Sequence, residues 1–180
     1  DIYRPIDISL APEVKSLPPP APRDNNVLGI MWWSLQLRFW TWRNDAFPGP
    51  KPQVRLFVLY FDPAQHPRLD HSLGLEKGLI GVVKVFAARP MAAQNNVVIA
   101  HELLHTLGAT DKYDLATNQP RHPEGYAEPQ RQPLHPQEFA EIMGGRLPVS
   151  ETSATIPLNL RQTLIGGQTA AEINFIRPEK

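Results

Sequence analysis

The sequence predicts an α+β fold: a mixed β-sheet flanked by an N-terminal Trp-rich helix and a central helix, followed by a small C-terminal part. Three observations predict it. Two runs, Val54 to Phe61 (VRLFVLYF) and Leu79 to Phe86 (LIGVVKVF), have the branched and aromatic composition of strands. One stretch before them and one after them carry apolar residues at helical spacing. The prolines, 20 in 180 residues and about twice the usual share, cluster between these segments.

The length is that of about one domain. An apolar fraction of 42% and a charged fraction of 20% exclude a wholly disordered chain, a collagen-like repeat and a coiled coil. Eighteen basic residues balance eighteen acidic ones, so no net field draws the chain to nucleic acid or to an anionic membrane. With no cysteine there is no disulfide framework, and any metal site must be built from His, Asp and Glu. No apolar run reaches the eighteen or so residues that a membrane span needs. Opening at Asp1 rather than Met, the chain reads as a processed or excised piece, from which a signal peptide or anchor could have been removed. Residues 1–23 are expected to be an extended segment stiffened by Pro18-Pro19-Pro20 and Pro22, and 24–180 a single domain with subdomains 24–108 and 109–180.

Asp24 or Asn25 can cap a helix that runs to about Asn44, with Leu28, Met31, Trp32, Leu35, Phe39 and Trp42 on one stripe. All four tryptophans (Trp32, Trp33, Trp40, Trp42) lie in it. The expected role is a core helix packed on the sheet, the alternative being a binding or membrane-interface patch. Pro48-Gly49-Pro50 with Pro52 makes a turn. The two strands should follow, each buried on both faces, with His66 and His71 between them as plain surface residues. Gln94 to Leu107 (QNNVVIAHELLHTL) is the next helix, with Asn95 or Asn96 as cap and Gly108 to end it. From Pro120 to Pro136 the prolines are too frequent for any element, and irregular segments of that length are usually functional or disordered.

The second helix carries the chemistry. With His101 at zero on a helical wheel, His105 lies about 40° round and Glu102 about 100° round. Two imidazoles share a face, with a carboxylate on its flank. No Lys or Arg occurs between Arg89 and Lys112, so the polar side consists almost wholly of His101, Glu102, His105 and Thr106. Groups of that kind are unfavourable to bury unless something satisfies them, and a zinc ion would do so. In H-E-L-L-H the two histidines ligate through ring nitrogens and the glutamate handles protons. Three fixed positions match by chance in roughly one such chain in a hundred; adding Gly108 and Asp111 lowers this to below about one in ten thousand.

His101 to Asp111, H-E-L-L-H-T-L-G-A-T-D, resembles the extended zinc motif of the metzincin metallopeptidases, in the variant whose third ligand is Asp, as in snapalysin-like enzymes. The resemblance implies a zinc ion held by His101, His105 and Asp111, Glu102 as general base, and a Met-bearing turn beneath the metal. Glu141-Ile142-Met143-Gly144-Gly145 is the segment that fits that turn, with Met143 as its methionine. Independently of the family, a catalytic zinc needs a third protein ligand and an open fourth position, and Gly108 permits the left-handed turn that brings Asp111 back under the metal. The segment after Asp111 also holds His122, Glu124, Glu128, His135 and Glu138 as rival ligands. Glu128 is the strongest of them, while Asp111 asks least of the fold. Some metzincins place a Tyr two residues after the Met to stabilise the oxyanion. That position here is Gly145, so the role would fall to Tyr113 or Tyr126. In that family the substrate extends along an edge strand before the active-site helix, and Leu79 to Phe86 fits that strand.

The function expected is therefore zinc-dependent hydrolysis of peptide bonds in a protein or peptide substrate, by a monomer. The Pro-rich segment from Asn118 to Pro136 would line or cover the cleft. The resemblance, the missing initial Met and the proline-rich, cysteine-free composition suggest the bacterial envelope, periplasmic or secreted. The alternative is a non-catalytic, zinc-stabilised binding module that engages a partner through the Trp-rich helix or the Pro-rich loop. Glu102 separates the two, because a structural zinc closes with four protein ligands and needs no adjacent base.

Overall fold

Branched and aromatic side chains form Arg55–Phe61 (β1) and Ile80–Phe86 (β3) as strands, and the two pair in parallel from Arg55 opposite Ile80 to Phe61 opposite Phe86. A third strand, Leu73–Leu75 (β2), pairs antiparallel with the other edge of β3. The order β1-β3-β2 makes a small mixed sheet with β3 at its centre. The computed structural model that provides this view describes residues 8–22, 26–69, 72–75 and 79–176. Asp24, Asn25 and His71 lie outside them. The chain divides into two compact units, Asp1–Gln53 and Val54–Lys180, and the sheet belongs to the second.

Two expectations about the strands are corrected. Leu79 to Phe86 is central in the sheet rather than an edge strand, because β2 pairs with Ile80–Val82 on the side of β3 that β1 leaves open. Three residues with a central glycine carry too little periodicity to show themselves as a strand in the sequence. The first strand is not buried on both faces: β1 is only half-buried and Tyr60 is exposed, as befits an edge position. The central β3 is the buried strand, with Val83 wholly enclosed.

The second helix, Ala92–Thr106 (α2), begins earlier than its asparagines suggest. A 3-10 turn over Arg89–Met91, with Pro90 inside it, leads straight into the helix. Asn95 therefore sits in the second turn rather than at a cap. Its buried side chain accepts a hydrogen bond from Phe86 N–H (3.3 Å) and donates to Phe86 C=O (2.8 Å), fastening α2 to the end of β3. Thr106 is fully buried; its hydroxyl donates to Leu103 C=O, and its methyl lies 3.4 Å from where a side chain on Gly81 of β3 would begin. The helix ends as expected at Gly108, whose φ of 104° few other residues adopt. Gly108 N–H donates to His105 C=O and Ala109 N–H to Leu104 C=O, a Schellman closure with Leu104 and Ala109 in apolar contact.

Beyond the long irregular segment lie short elements. Ala140–Glu141 (β4) precedes Leu147–Pro148 (β5), which pairs antiparallel with Ala154–Thr155 (β6); Thr163–Leu164 (β7) pairs in parallel with β4. The helix Gly167–Glu172 (α3) follows. Leu104, Ala109, Ile142, Met143 and Ile173 form one buried cluster, so α2, the turn after β4 and the residue after α3 share a core.

The first unit consists of an extended proline-rich segment and the helix Val27–Asn44 (α1), capped by Asn26. The segment is tied to the helix: Trp33 Nε1 donates to Pro19 C=O (3.0 Å), Trp40 Nε1 to Ser16 Oγ (3.1 Å), and Ser16 Oγ to Asn44 Oδ1 (2.8 Å). The buried residues of α1 are Trp33, Leu37 and Thr41. The stripe expected to form the core face, Leu28, Met31, Trp32, Leu35, Phe39 and Trp42, is exposed. Apolar residues surround this helix on nearly every side, so the sequence contains no polar face to mark which one is covered. Among the described residues, no helix is long and apolar enough to cross a membrane.

Candidate metal centre

His101 and His105, four residues apart on α2, point the same way because the helix advances close to a full turn between them. Their rings meet edge to face, with centroids 4.7 Å apart. The turn at Gly108 returns the chain so that Asp111 reaches both. His101 Nε2 and His105 Nε2 are 3.1 Å apart, and Asp111 Oδ1 lies 3.2 Å and 3.1 Å from them. The three side chains are 13%, 22% and 32% exposed respectively, enough for a small molecule to approach.

The protons decide what this triangle can be. His101 Nδ1 is 2.8 Å from Ile142 C=O, and His105 Nδ1 is 2.8 Å from Ala109 C=O. A carbonyl only accepts, so each Nδ1 carries a hydrogen, and a ring in its neutral form turns the lone pair of Nε2 inward. With both rings neutral, two nitrogen lone pairs and a carboxylate oxygen face one another at hydrogen-bond distance. Among the described residues, Asp111 Oδ1 is buried and accepts no hydrogen bond of acceptable geometry. Such an arrangement repels itself unless a positive charge sits at its centre. The titration behaviour points the same way. Burial works against the charged form of His105, but hydrogen bonding to Asp111, the Ala109 carbonyl and the nearby carboxylate charges raise its pKa overall. Burial likewise opposes ionisation of Asp111, yet the two imidazoles hold its carboxyl well below the usual range. A proton on a ring would meet the demand, and so would a metal ion. Tetrahedral zinc with bonds of about 2.0–2.1 Å sets its ligands ~3.3 Å apart, close to the separations here. His101, His105 and Asp111 could hold a metal ion.

Glu102 projects to the flank of this face and is 9% exposed. It is not one of the three converging groups, yet its charge is felt by both His105 and Tyr113. Burial first, and then the charge and hydrogen bonding of Asp111, push the Tyr113 hydroxyl up to about 12, so it stays protonated at physiological pH. The ring of Tyr113 lies 6.3 Å from that of His101, and its edge stands 3.6 Å from where a side chain on Gly145 would begin.

The other candidates lie elsewhere. Glu128 is paired with Arg131 (3.0 Å) and accepts from Glu138 N–H (2.7 Å), so its carboxylate is engaged within its own loop. Glu138 also meets Arg131, Glu124 is exposed, and His122 Nε2 lies 3.2 Å from Pro129 C=O. Tyr126 is buried, its hydroxyl 3.1 Å from His135 Nε2, in a cluster apart from the three ligand candidates. His66 is exposed and packs edge-on against Phe61.

Met143 is fully buried in a 3-10 turn, Ile142–Gly144, closed by Gly145 at φ 70°. It packs with Leu104 from the same helix that carries the histidines. Its contribution to the centre is through backbone: Ile142 C=O holds His101, and Met143 C=O accepts from Lys112 N–H (2.9 Å), next to Asp111. Gly144 lies against the backbone of Gly125, where a Cβ would come within 2.4 Å of the carbonyl oxygen.

Against models of protein families, curated proteins and solved structures, the chain has no significant match.

Several residues that support the centre were not singled out by the sequence. Glu141, fully buried, accepts from Gly144 N–H (2.8 Å), Gly166 N–H (3.1 Å) and Thr169 Oγ1 (2.7 Å), pinning the methionine turn to α3. Arg121 donates to Asp111 C=O (2.8 Å). Glu172 of α3 accepts from Lys112 Nζ (2.7 Å), Thr110 N–H (2.9 Å) and Thr110 Oγ1 (3.0 Å). Burial opposes the ionisation of Glu172, but these bonds, with one from Gln168, outweigh it and bring the pKa down to about 2. Because the folded value lies below the ordinary one, the stabilisation is complete above pH ~4.5 and is lost as pH falls towards 2. Urea midpoints measured across that window should therefore fall more steeply for the natural chain than for Glu172→Gln, and parallel curves would exclude the linkage.

Proposed function

We propose that the chain is a zinc-dependent peptidase of metzincin type, in which His101, His105 and Asp111 hold the metal and Glu102 is the general base. The observation that carries the reading is the meeting of His101 Nε2, His105 Nε2 and Asp111 Oδ1 within 3.2 Å of one another, with each Nδ1 turned to a backbone carbonyl. Two imidazoles and one carboxylate suit zinc better than calcium or magnesium, which prefer all-oxygen sites. Among the described residues three such groups gather, which leaves the fourth position for chemistry.

When bound, zinc supplies Lewis acidity, making water acidic near neutral pH and polarising a carbonyl oxygen. The chain's own groups do the rest. Glu102 accepts a proton from the attacking water as its oxygen bonds to the peptide carbonyl carbon, then passes that proton to the nitrogen as the C–N bond breaks. Tyr113, protonated and beside Asp111, is the hydroxyl available to donate to the oxygen on which negative charge develops. Ile142 and Ala109 carbonyls fix the histidine tautomers and ring planes. The zinc-loaded chain should cleave an unfolded protein such as casein, lose that activity to 1,10-phenanthroline and regain it when zinc is restored. Activity that survives complete removal of metal would end this reading.

One observation favours a second reading, a zinc-stabilised binding module: the apolar stripe of α1 is exposed. That reading gives Glu102 no work: cleavage by the natural chain that is lost in Glu102→Gln favours the peptidase, and a zinc-loaded natural chain that cleaves nothing favours the module.

A further inference from the structure

Asp111 is the one candidate ligand carried by a loop. His101 and His105 are set by a helix, whereas the place of Asp111 depends on what holds residues 109–112. Near anchors serve it: Ala109 C=O accepts from His105 and Ala109 N–H donates to Leu104 C=O, Asp111 C=O and Lys112 C=O both accept from Arg121, and Lys112 N–H donates to Met143 C=O. Another comes from far along the chain: one carboxylate, Glu172 on α3, grips the residues on both sides of Asp111. It takes the N–H and hydroxyl of Thr110 and the ammonium of Lys112, and Lys112 Nζ also donates to Thr110 C=O (2.9 Å), closing a ring. The Lys112 side chain is 3% exposed, and that carboxylate is its ionic partner at 2.7 Å.

We propose that Glu172 is a positioning residue for the metal centre: by clamping Thr110 and Lys112 it sets the height of Asp111 against the two histidines, and α3 is thereby part of the metal site without touching the ion. The inference rests on the metal reading of His101, His105 and Asp111. Its direction follows from charge-assisted hydrogen bonds being the strong ones, and from outer partners of metal ligands typically being worth ten- to a hundredfold in affinity. Without the clamp the 110–112 backbone keeps its bonds to Arg121 and Met143, and the Lys112 Nζ to Thr110 C=O bond is left to join its two halves.

The test is zinc affinity at pH 7 by chelator competition, together with the visible spectrum of the cobalt-loaded chain, for the natural sequence and for Glu172→Gln, Glu172→Ala and Thr110→Val. Both readouts are taken well below the unfolding midpoint of each variant. The expected result is a graded weakening: a few-fold for Thr110→Val, about tenfold for Glu172→Gln, and up to about a hundredfold for Glu172→Ala. The cobalt bands should lose intensity in the same order as the tetrahedral geometry relaxes. A role confined to overall stability would move the midpoint and leave affinity and spectrum alone. Natural affinity and an unchanged cobalt spectrum in Glu172→Gln and Thr110→Val, which keep most of the packing even if Glu172→Ala does not fold, would overturn the inference while leaving the metal reading intact. A natural chain that binds neither ion would overturn both.

Discussion

Glu102→Gln is expected to keep one zinc per chain and to lose kcat/KM on an unfolded protein by about 10²–10⁴-fold, the range that a positioned general base contributes. The substitution preserves shape and removes the charge, and with it the ability to take up a proton. Glu102 lies about 100° round α2 from His101, outside the group of three, so the metal ligands are untouched. Substrate affinity should stay near that of the natural chain, because the loss belongs to the transition state. Paired measurements of metal content and turnover check this. Turnover within about threefold of the natural chain would remove Glu102 from the mechanism, whereas a zinc-loaded natural chain with no turnover at all would favour the binding-module reading.

His105→Ala is expected to fail earlier, at metal binding. A four-ligand structural zinc site is worth about 10–16 kcal/mol, so one ligand accounts for ~3 kcal/mol and its loss weakens binding by roughly 10²–10³-fold. Zinc should then raise the melting temperature of the natural chain and leave that of the variant nearly unchanged. Ala109 C=O also loses its imidazole donor, so the turn at Gly108 loosens together with the site. Stoichiometric zinc retained by the variant after dialysis would place the metal elsewhere.

What the sequence made legible is local. His101, Glu102, His105, Gly108 and Asp111 span eleven positions, and helix geometry followed by one left-handed glycine is enough to bring them into relation. The strands β1 and β3 and the long irregular segment were legible for the same reason, because composition alone marks them. What was hidden depends on distant partners. Asn95 looked like a helix cap, yet its partner is the backbone of Phe86. Lys112 was visible only as the end of a stretch without basic residues, and nothing in its neighbourhood announces Glu172, sixty residues away. Glu141 looked like the neighbour of a methionine, and its work for α3 shows only when Gly166 and Thr169 fold back onto it. The covered face of α1 was misjudged because a helix apolar nearly all round gives periodicity nothing to choose between.

The most direct test of the metal reading is a crystal structure of the zinc-loaded chain with diffraction recorded on both sides of the zinc absorption edge. The reading predicts one strong anomalous peak within bonding distance of His101 Nε2, His105 Nε2 and a carboxylate oxygen of Asp111, with the Glu102 carboxylate outside the coordination sphere. A peak coordinated by Glu102 or Glu128, or none near the two histidines, would contradict it.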